Sequence, residues 1–199
     1  MVYFRSVIHI LSKEFSLVSE FLRELRDKDI QQDRARFRKN IERIGQIAAY
    51  EISKNLNYQE FEVQTPLGLA NINMIPQLPV LATILRAGLP LHQGLLNIFD
   101  KSESAFISAY RKTKKSGDFI IQMEYFSTPD LDGKIVIISD PMLATGKSMV
   151  LCCKELLANY KMVELIFNYI FSIIFFNIII SISFSSVKCP SFKWFRQKP

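Results

Sequence analysis

Cysteine is scarce in this chain: three of its 199 residues are cysteines. Cys152, Cys153 and Cys189 have neither the spacing of a disulfide framework nor that of a zinc site. The N-terminal segment also lacks a long apolar stretch and a small-residue cleavage site, so no secretory signal peptide is expected. Together these absences predict a protein of the reducing cytoplasm.

Acidic residues are outnumbered by basic ones, 19 to 25, which gives a net charge of +6 and a pI near 9.2. Such an excess suits an anionic partner: nucleic acid, lipid head groups or a phosphorylated metabolite. Several basic side chains lie between residues 34 and 43, at the spacing of a solvated helix face, so no nucleic-acid partner is predicted. The apolar fraction of 49% excludes a disordered chain and predicts one folded domain.

The apolar pattern predicts helices first and a sheet afterwards. Residues 15–25 and 30–56 have apolar positions three and four apart, which indicates two helices, and residues 58–74 read as a strand pair with a turn. Another helical stretch covers residues 89–99. Apolar runs of strand length are found at residues 80–85, 105–109, 119–123 and 134–139. This order predicts an α/β fold with a parallel sheet, in which ligands bind at the carboxyl ends of strands.

The segment IVIISDPMLATGKS, residues 135–148, has the features of a sugar-phosphate site. A strand is followed by Asp140, which can accept hydrogen bonds from the vicinal hydroxyls of a ribose. Main-chain N–H groups at the start of the next helix, with the hydroxyls of Thr145 and Ser148, can bind a phosphate, and Gly146 allows close approach. Taken alone, the same residues also fit an ordinary strand-to-helix turn with Ser148 as the N-cap.

The residues GKS at 146–148 also match the end of the nucleoside-triphosphate P-loop, G-x-x-x-x-G-K-S. The first glycine of that motif would fall at residue 141, where this chain has proline. Proline restricts φ and has no N–H group to donate to a phosphate. A P-loop-like nucleotide-binding protein is therefore the less favoured alternative.

The DPMLATGKS segment resembles the phosphoribosyl-pyrophosphate (PRPP) loop of the uracil phosphoribosyltransferases, in which DPMLATG precedes a small residue and serine. Lys147 is a departure from that form. Two upstream motifs extend the resemblance: TILRAGL at residues 83–89 resembles the family's pyrophosphate-binding turn, and SAYR at residues 108–111 resembles the Tyr-Arg pair before its covering loop. The planar donor group of Arg86 suits phosphate oxygens.

The resemblance implies a type I phosphoribosyltransferase fold with N-terminal helices. It implies transfer of the 5-phosphoribosyl group from PRPP to uracil, giving uridine monophosphate and pyrophosphate in pyrimidine salvage, with Mg²⁺ accompanying PRPP. Arg86, Arg111 and Asp140 would be catalytic, the arginines at the pyrophosphate and the carboxylate at the ribose. No uracil-binding residue and no protein metal ligand are identified. The implied PRPP-binding residues are Arg86, Arg111, Asp140, Pro141, Met142, Leu143, Ala144, Thr145, Gly146, Lys147 and Ser148.

The resemblance ends near residue 160, and the family's glycine-rich uracil-binding segment is absent. Residues 1–160 are therefore predicted to form an incomplete phosphoribosyltransferase domain, truncated on its C-terminal side, and residues 161–199 a divergent apolar and basic tail. The uncharged residues 165–184 fit either a transmembrane segment, with membrane association, or an aberrant translation product. Without the acceptor segment, transfer to uracil is in question. The alternative to a transferase is a non-catalytic PRPP-binding or regulatory protein. Either protein could form a homo-oligomer.

Overall fold

The computed structural model of the chain describes residues 10–13, 15–113, 119–143, 147–168, 171–172 and 184–185. Its first part is helical, as predicted: a 3₁₀ turn at Leu11–Lys13, α1 (Val18–Arg26), a second 3₁₀ turn at Ile30–Gln32 and α2 (Arg34–Ser53). The longer helix begins after Asp33, whose carboxylate accepts hydrogen bonds from two main-chain N–H groups of the first turn. This N-cap explains why α2 starts later than the apolar pattern alone predicts.

A two-stranded antiparallel hairpin follows, formed by β1 (Gln59–Thr65) and β2 (Gly68–Met74). The predicted strand pair is therefore confirmed. The hairpin is a sheet of its own, separate from the central sheet.

The central sheet has six strands. In spatial order they are β10 (Phe184–Ser185), β8 (Glu164–Asn168), β6 (Ile135–Ser139), β3 (Val80–Leu85), β4 (Ser104–Thr113) and β5 (Phe119–Ser127). The four inner strands, from β8 to β4, are parallel, while each edge strand is antiparallel to its neighbour. The predicted α/β fold with a parallel core is confirmed, and β5 departs from it because no crossover helix separates it from β4.

Helices cover both faces of this sheet. The helices α1, α2 and α3 (Leu89–Leu96) pack with Leu81, Ile137 and Ile166 on one face. On the other face α4 (Lys147–Asn159) packs against Ala82 and Ile138. Alternate residues of each inner strand are thus buried on opposite faces of the sheet, which is why the sequences of these strands do not alternate between apolar and polar residues.

The helices α2 and α3 meet backbone to backbone at Gly45 and Gly94. A methyl group at Gly45 would lie 2.6 Å from the carbonyl oxygen of Leu91, and one at Gly94 would lie 2.8 Å from the Cα atom of Gly45. Only glycine permits this approach at both positions. The position of α3, which begins directly after the Arg86–Gly88 turn, is therefore fixed by α2.

Residues 164–168 belong to the stretch that the sequence assigned to a divergent tail, with a transmembrane candidate at 165–184. They form β8, which pairs in parallel with β6. Leu165 and Ile166 are buried on opposite faces of the sheet, so this apolar run is a core strand. In the described part of the chain no helix has the length and apolar character needed to cross a membrane. Apart from the two-residue strands β9 (Phe171–Ser172) and β10, the rest of 169–199 lies outside the described residues.

Candidate functional site

The carboxyl ends of β3 and β6 lie side by side at one edge of the sheet. The two strands are parallel neighbours, and Thr83 of β3 is the register partner of Ser139 of β6. The chain continues from β3 into Arg86 and from β6 into Asp140. The structure thus brings two of the predicted site residues to the edge at which α/β proteins bind their ligands.

The turn after β3 exposes Arg86 and Ala87 to solvent and buries Gly88. The peptide bond before Arg86 is cis. A methyl group at Gly88 would overlap the Thr83 hydroxyl and lie 2.7 Å from the carbonyl oxygen of Ile84. Glycine is therefore required for the turn to fold back onto the sheet, and an exposed guanidinium at its start is available to an anion.

Asp140 occupies the corresponding position after β6. Its main-chain N–H donates to the carbonyl oxygen of Asn168 over 3.0 Å, which fixes the residue against the end of β8. Burial raises the pKa of the Asp140 carboxyl from 3.8 to about 6, although a hydrogen bond from the Met142 N–H opposes the shift. The carboxylate is therefore ionised at neutral pH and poorly hydrated, as suits an acceptor for the hydroxyls of a sugar.

The predicted phosphate loop is described in part. Pro141 is buried, and Met142 and Leu143 form β7, which pairs in parallel with β9. Ala144, Thr145 and Gly146 lie outside the described residues. Lys147 begins α4, and Ser148 is half-buried in its first turn. The helix start therefore lies just after the strand end, where its free N–H groups favour an anion.

Arg111 lies on β4, the other neighbour of β3. Leu85, the last residue of β3, is paired with Ser108, so Arg111 lies three positions further along β4, beyond the end of β3. There it pairs with Ile121 of β5, and its side chain and the loop at 114–118 lie outside the described residues. The β4–β5 pair thus projects past the edge that carries Arg86 and Asp140.

The sequence reasoning missed one group at this edge. Asn168 ends β8, is register partner to Ser139, and is fully buried with both carboxamide atoms unpartnered in the described structure. Ser139 and Thr83 are buried too, but the Ser139 hydroxyl donates to Ala82 O over 3.1 Å and the Thr83 hydroxyl to Ser139 O over 3.3 Å. A polar residue directly after an apolar run, the signal that identified Asp140, was also present at Asn168.

Two adjacent parallel strands end at the same edge of the sheet, one in the turn of Arg86 and Gly88 and the other in Asp140, which precedes a helix. The fold is that of a type I phosphoribosyltransferase.

Comparison with known proteins defines the family within that class. The sequence model of the family described as uracil phosphoribosyltransferase matches residues 13–173. A uracil phosphoribosyltransferase of Porphyromonas gingivalis is 56% identical over 151 residues, which cover 76% of this chain and 69% of that protein. One from Methanothermobacter thermautotrophicus is 40% identical over 136 residues, covering 67% and 61%. The chain belongs to the uracil phosphoribosyltransferase family, and it spans about two thirds of the length of these two relatives.

A solved structure supports the fold. A protein from Aquifex aeolicus matches this chain with a TM-score of 0.67 at 27% identity, over 78% of this chain and 73% of that one. The family resemblance drawn from the three motifs is therefore confirmed. The matched region extends past residue 160 to residue 173, and it includes β8.

Proposed function

We propose that this protein binds PRPP at the carboxyl ends of β3 and β6 and transfers its phosphoribosyl group to uracil, giving uridine monophosphate and pyrophosphate. The observation that carries the proposal is the register of Thr83 with Ser139, which sets the Arg86 turn and Asp140 on adjacent strands. One extended ligand can span both. Membership of the family supports uracil as the acceptor.

Each part of PRPP has a counterpart at this edge. The exposed Arg86 would bind the pyrophosphate, assisted by Arg111 from the projecting β4–β5 pair, because a guanidinium forms paired hydrogen bonds with phosphate oxygens. The start of α4 would bind the 5′-phosphate through N–H groups of the segment 144–148. Asp140, between them in the chain, would accept hydrogen bonds from the ribose hydroxyls.

The proposed chemistry requires little covalent help from the protein. The bond between ribose C1 and the pyrophosphate oxygen breaks with its electron pair going to that oxygen, uracil N1 forms the new bond to C1, and the N1 proton passes to the departing pyrophosphate or to solvent. The transition state resembles an oxocarbenium ion, so positive charge develops on the ribose while negative charge grows on the pyrophosphate. An ionised Asp140 and a cationic Arg86 have the signs that stabilise these charges.

Mg²⁺ fits this site as a companion of the substrate. No cluster of three or more carboxylate, histidine or cysteine side chains that could hold a metal is found among the described residues. Mg²⁺ commonly keeps several waters and binds through one or two carboxylates together with substrate phosphates. Asp140 offers such a carboxylate. When bound, the ion would neutralise charge on the pyrophosphate, and Asp140 would hold the ribose side of the complex.

Two measurements on the purified full-length chain test the proposal. Calorimetry with Mg²⁺ and PRPP should give saturable binding, and labelled uracil with PRPP should give uridine monophosphate and equimolar pyrophosphate. Binding without turnover would favour the alternative, a regulatory PRPP-binding protein. Thermal stabilisation by ATP or GTP with no response to PRPP would instead favour a P-loop-like nucleotide-binding protein.

We also propose that the protein self-associates through the β1–β2 hairpin. Phe61 and Ile72 are cross-strand partners and both are exposed, and Val63, Ala70 and Met74 share their face. A lone two-stranded hairpin with an uncovered apolar face is marginal in water, which favours a second copy as its cover. Light scattering should report an oligomer that the double variant Phe61→Ser/Ile72→Ser converts to monomer. Glu62→Ser, on the opposite face, should leave the mass unchanged.

The cytoplasm is the proposed location. Cys152 and Cys153 are free thiols buried against the sheet, and burial raises the pKa of both. Thiols that serve as small core side chains agree with a reducing compartment. Fractionation of cells that express the full chain should recover it with the soluble proteins; recovery in membranes resistant to salt washing would contradict this location.

A further inference from the structure

The helix α3 does not contact all the inner strands of the sheet in the same way. The apolar core that it shares with α1 and α2 takes Leu81 from β3, Ile137 from β6 and Ile166 from β8. In the described part of the chain no residue of β4 belongs to this core. Yet β4 is the neighbour of β3 in the sheet, and it carries Arg111. The contact between α3 and β4 therefore depends on groups outside the apolar core.

His92 makes this contact. It lies in the first turn of α3, where its main-chain N–H donates to the carbonyl oxygen of Gly88 over 2.9 Å. Its ring nitrogen Nε2 lies 3.1 Å from the hydroxyl oxygen of Ser104, the first residue of β4. The ring centroid is 5.4 Å from that of Phe106, which shares a face of the strand with Ser104. One residue thus joins the turn that precedes α3 to β4.

The ring of His92 is suited to this position in its neutral form. The residue is 5% exposed, and Nδ1 is buried with no hydrogen-bond partner in the described structure. A proton on Nε2 can be donated to Ser104, which leaves only an unused lone pair on Nδ1. A second proton would place an N–H group and a positive charge at Nδ1 with no acceptor. Burial accordingly lowers the pKa of His92 below its ordinary value of 6.5.

No carboxylate in the described part of the chain offsets this effect of burial on the pKa of His92. The strand β3 has no titratable residue. On α2, Glu42 accepts hydrogen bonds from Lys39 and from the residue that ends α3, at the far end of that helix from the turn. Beside β4, Glu103 forms an ion pair with Lys134. A protonated ring would therefore lack a counter-charge and would be driven away from β4.

We propose that His92 is a positioning residue for pyrophosphate binding: its uncharged ring holds the first turn of α3 on β4 and thereby fixes the turn of Arg86. The proposal rests on the proposed function, because it takes the pyrophosphate of PRPP to bind at Arg86. It assigns no contact with the ligand to His92. Loss or protonation of the ring should weaken pyrophosphate binding while the rest of the sheet stays folded.

The first test is His92→Leu, which keeps an apolar side chain of similar size and removes both ring nitrogens. At pH 7.5 the Kd for pyrophosphate with Mg²⁺ should rise about five- to tenfold. The Kd for ribose 5-phosphate should not change, because its proposed contacts are at Asp140 and the start of α4. Calorimetry gives both constants, and circular dichroism checks the fold. A residue that only stabilises the fold would lower the Tm and leave both Kd values unchanged.

The second test is His92→Gln, which keeps an N–H donor for Ser104 and does not titrate. At pH 7.5 this variant should bind pyrophosphate as the wild type does. As the pH falls below 6.5, the wild type should lose affinity relative to the variant, by about fivefold at pH 5. Pyrophosphate and Asp140 titrate in both proteins, so the ratio of the two Kd values isolates His92.

A matched control is Tyr160→Phe. The Tyr160 hydroxyl lies 2.8 Å from that of Thr128, and the residue packs against the core on the other face of the sheet. This variant also removes a hydrogen bond between side chains, so its Tm should fall, but its Kd for pyrophosphate should not change. An equal rise in Kd for Tyr160→Phe and His92→Leu would contradict a specific role for His92.

The outcomes separate the inference from the proposed function. If the wild-type protein binds neither PRPP nor pyrophosphate, the proposed function itself is wrong. Binding by the wild type together with an unchanged Kd for His92→Leu would overturn the inference alone, and so would parallel pH profiles for the wild type and His92→Gln. If His92→Leu does not fold, Ser104→Ala takes its place: it removes the partner of Nε2 and should also raise the Kd for pyrophosphate, and an unchanged Kd there overturns the inference equally.

Discussion

The hydroxyl of Thr83 donates to the main-chain carbonyl of Ser139 over 3.3 Å, across the boundary between two parallel strands that end at the proposed site. Both residues are fully buried. This bond supplements the ladder between β3 and β6 where the strands give way to the Arg86 turn and to Asp140. The two proposed substrate-binding segments therefore start from a common, rigid base.

Arg86→Ala should weaken pyrophosphate binding without harming the fold. The side chain is exposed, so its removal should leave the Tm unchanged within experimental error, whereas the loss of charge-assisted hydrogen bonds should raise the Kd about 10- to 100-fold. Titration calorimetry with pyrophosphate measures this directly. Arg38→Ala, an exposed arginine on α2, controls for the general loss of positive charge; an equal effect from both variants would contradict a specific site.

PRPP binding should weaken as the pH falls through about 6, because the proposed ribose contact needs the ionised Asp140 carboxylate. Below that pKa each further pH unit should raise the Kd by up to tenfold. The phosphates of PRPP titrate in a similar range, so Asp140→Asn provides the reference: its Kd should be high throughout and should show only the ligand's own pH dependence. Parallel pH profiles for the two proteins would show that Asp140 does not contact the ligand.

The same carboxyl should lower the stability of the free protein at neutral pH. Because its pKa is raised from 3.8 in the unfolded chain to about 6 in the folded one, the folded state binds the proton more tightly, and stability is lost as the pH rises through this window. The loss amounts to at most about 3 kcal/mol. Asp140→Asn should therefore unfold at a higher temperature than wild type at pH 7.5, and the gap should close near pH 4. A gap that persists at pH 4 would point to a different cause.

Gly88→Ala should disrupt the turn. The added methyl group would overlap the Thr83 hydroxyl and crowd the Ile84 carbonyl, neither of which can move without disturbing the sheet. The free energy of unfolding should therefore fall by about 1–3 kcal/mol, and the affinity for PRPP should fall as well. Chemical denaturation and calorimetry provide the two measurements. Gly133→Asn is the control: Gly133 has φ of 70° but open space around it, and asparagine tolerates that conformation. Similar losses in both variants would argue against a special role for the Gly88 contact.

The fold was predictable where apolar runs have clear ends. The strand predicted at residues 80–85 coincides with β3, because Pro79 precedes the run and Arg86 follows it. The strand β8 was missed because a parallel strand buried on both faces has no polar alternation, and its apolar residues merge with those that follow. At the level of composition alone such a strand cannot be told from the start of a membrane helix.

The candidate site was predictable to the extent that it depends on single positions. Arg86 and Asp140 were identified because each follows a strand, and the sheet places both at one edge. The buried position of Asn168 beside Ser139 depends on the register between β8 and β6, which is not a local property of the sequence. The apolar pattern also ended the strand in β4 at residue 109, short of Thr113, because the second half of β4 is defined by pairing with β5.

The contact between Gly45 and Gly94 has a consequence for mutational surveys of this family. Since the main chains of α2 and α3 touch at these two glycines, little room is left there to absorb a shift of α2, and a shift should be passed to the turn that precedes α3. Substitutions in α2 that tilt the helix should therefore weaken anion binding, although α2 contains none of the proposed binding residues. Anion binding at the sheet edge should thus be sensitive to changes in a helix that takes no part in the proposed reaction.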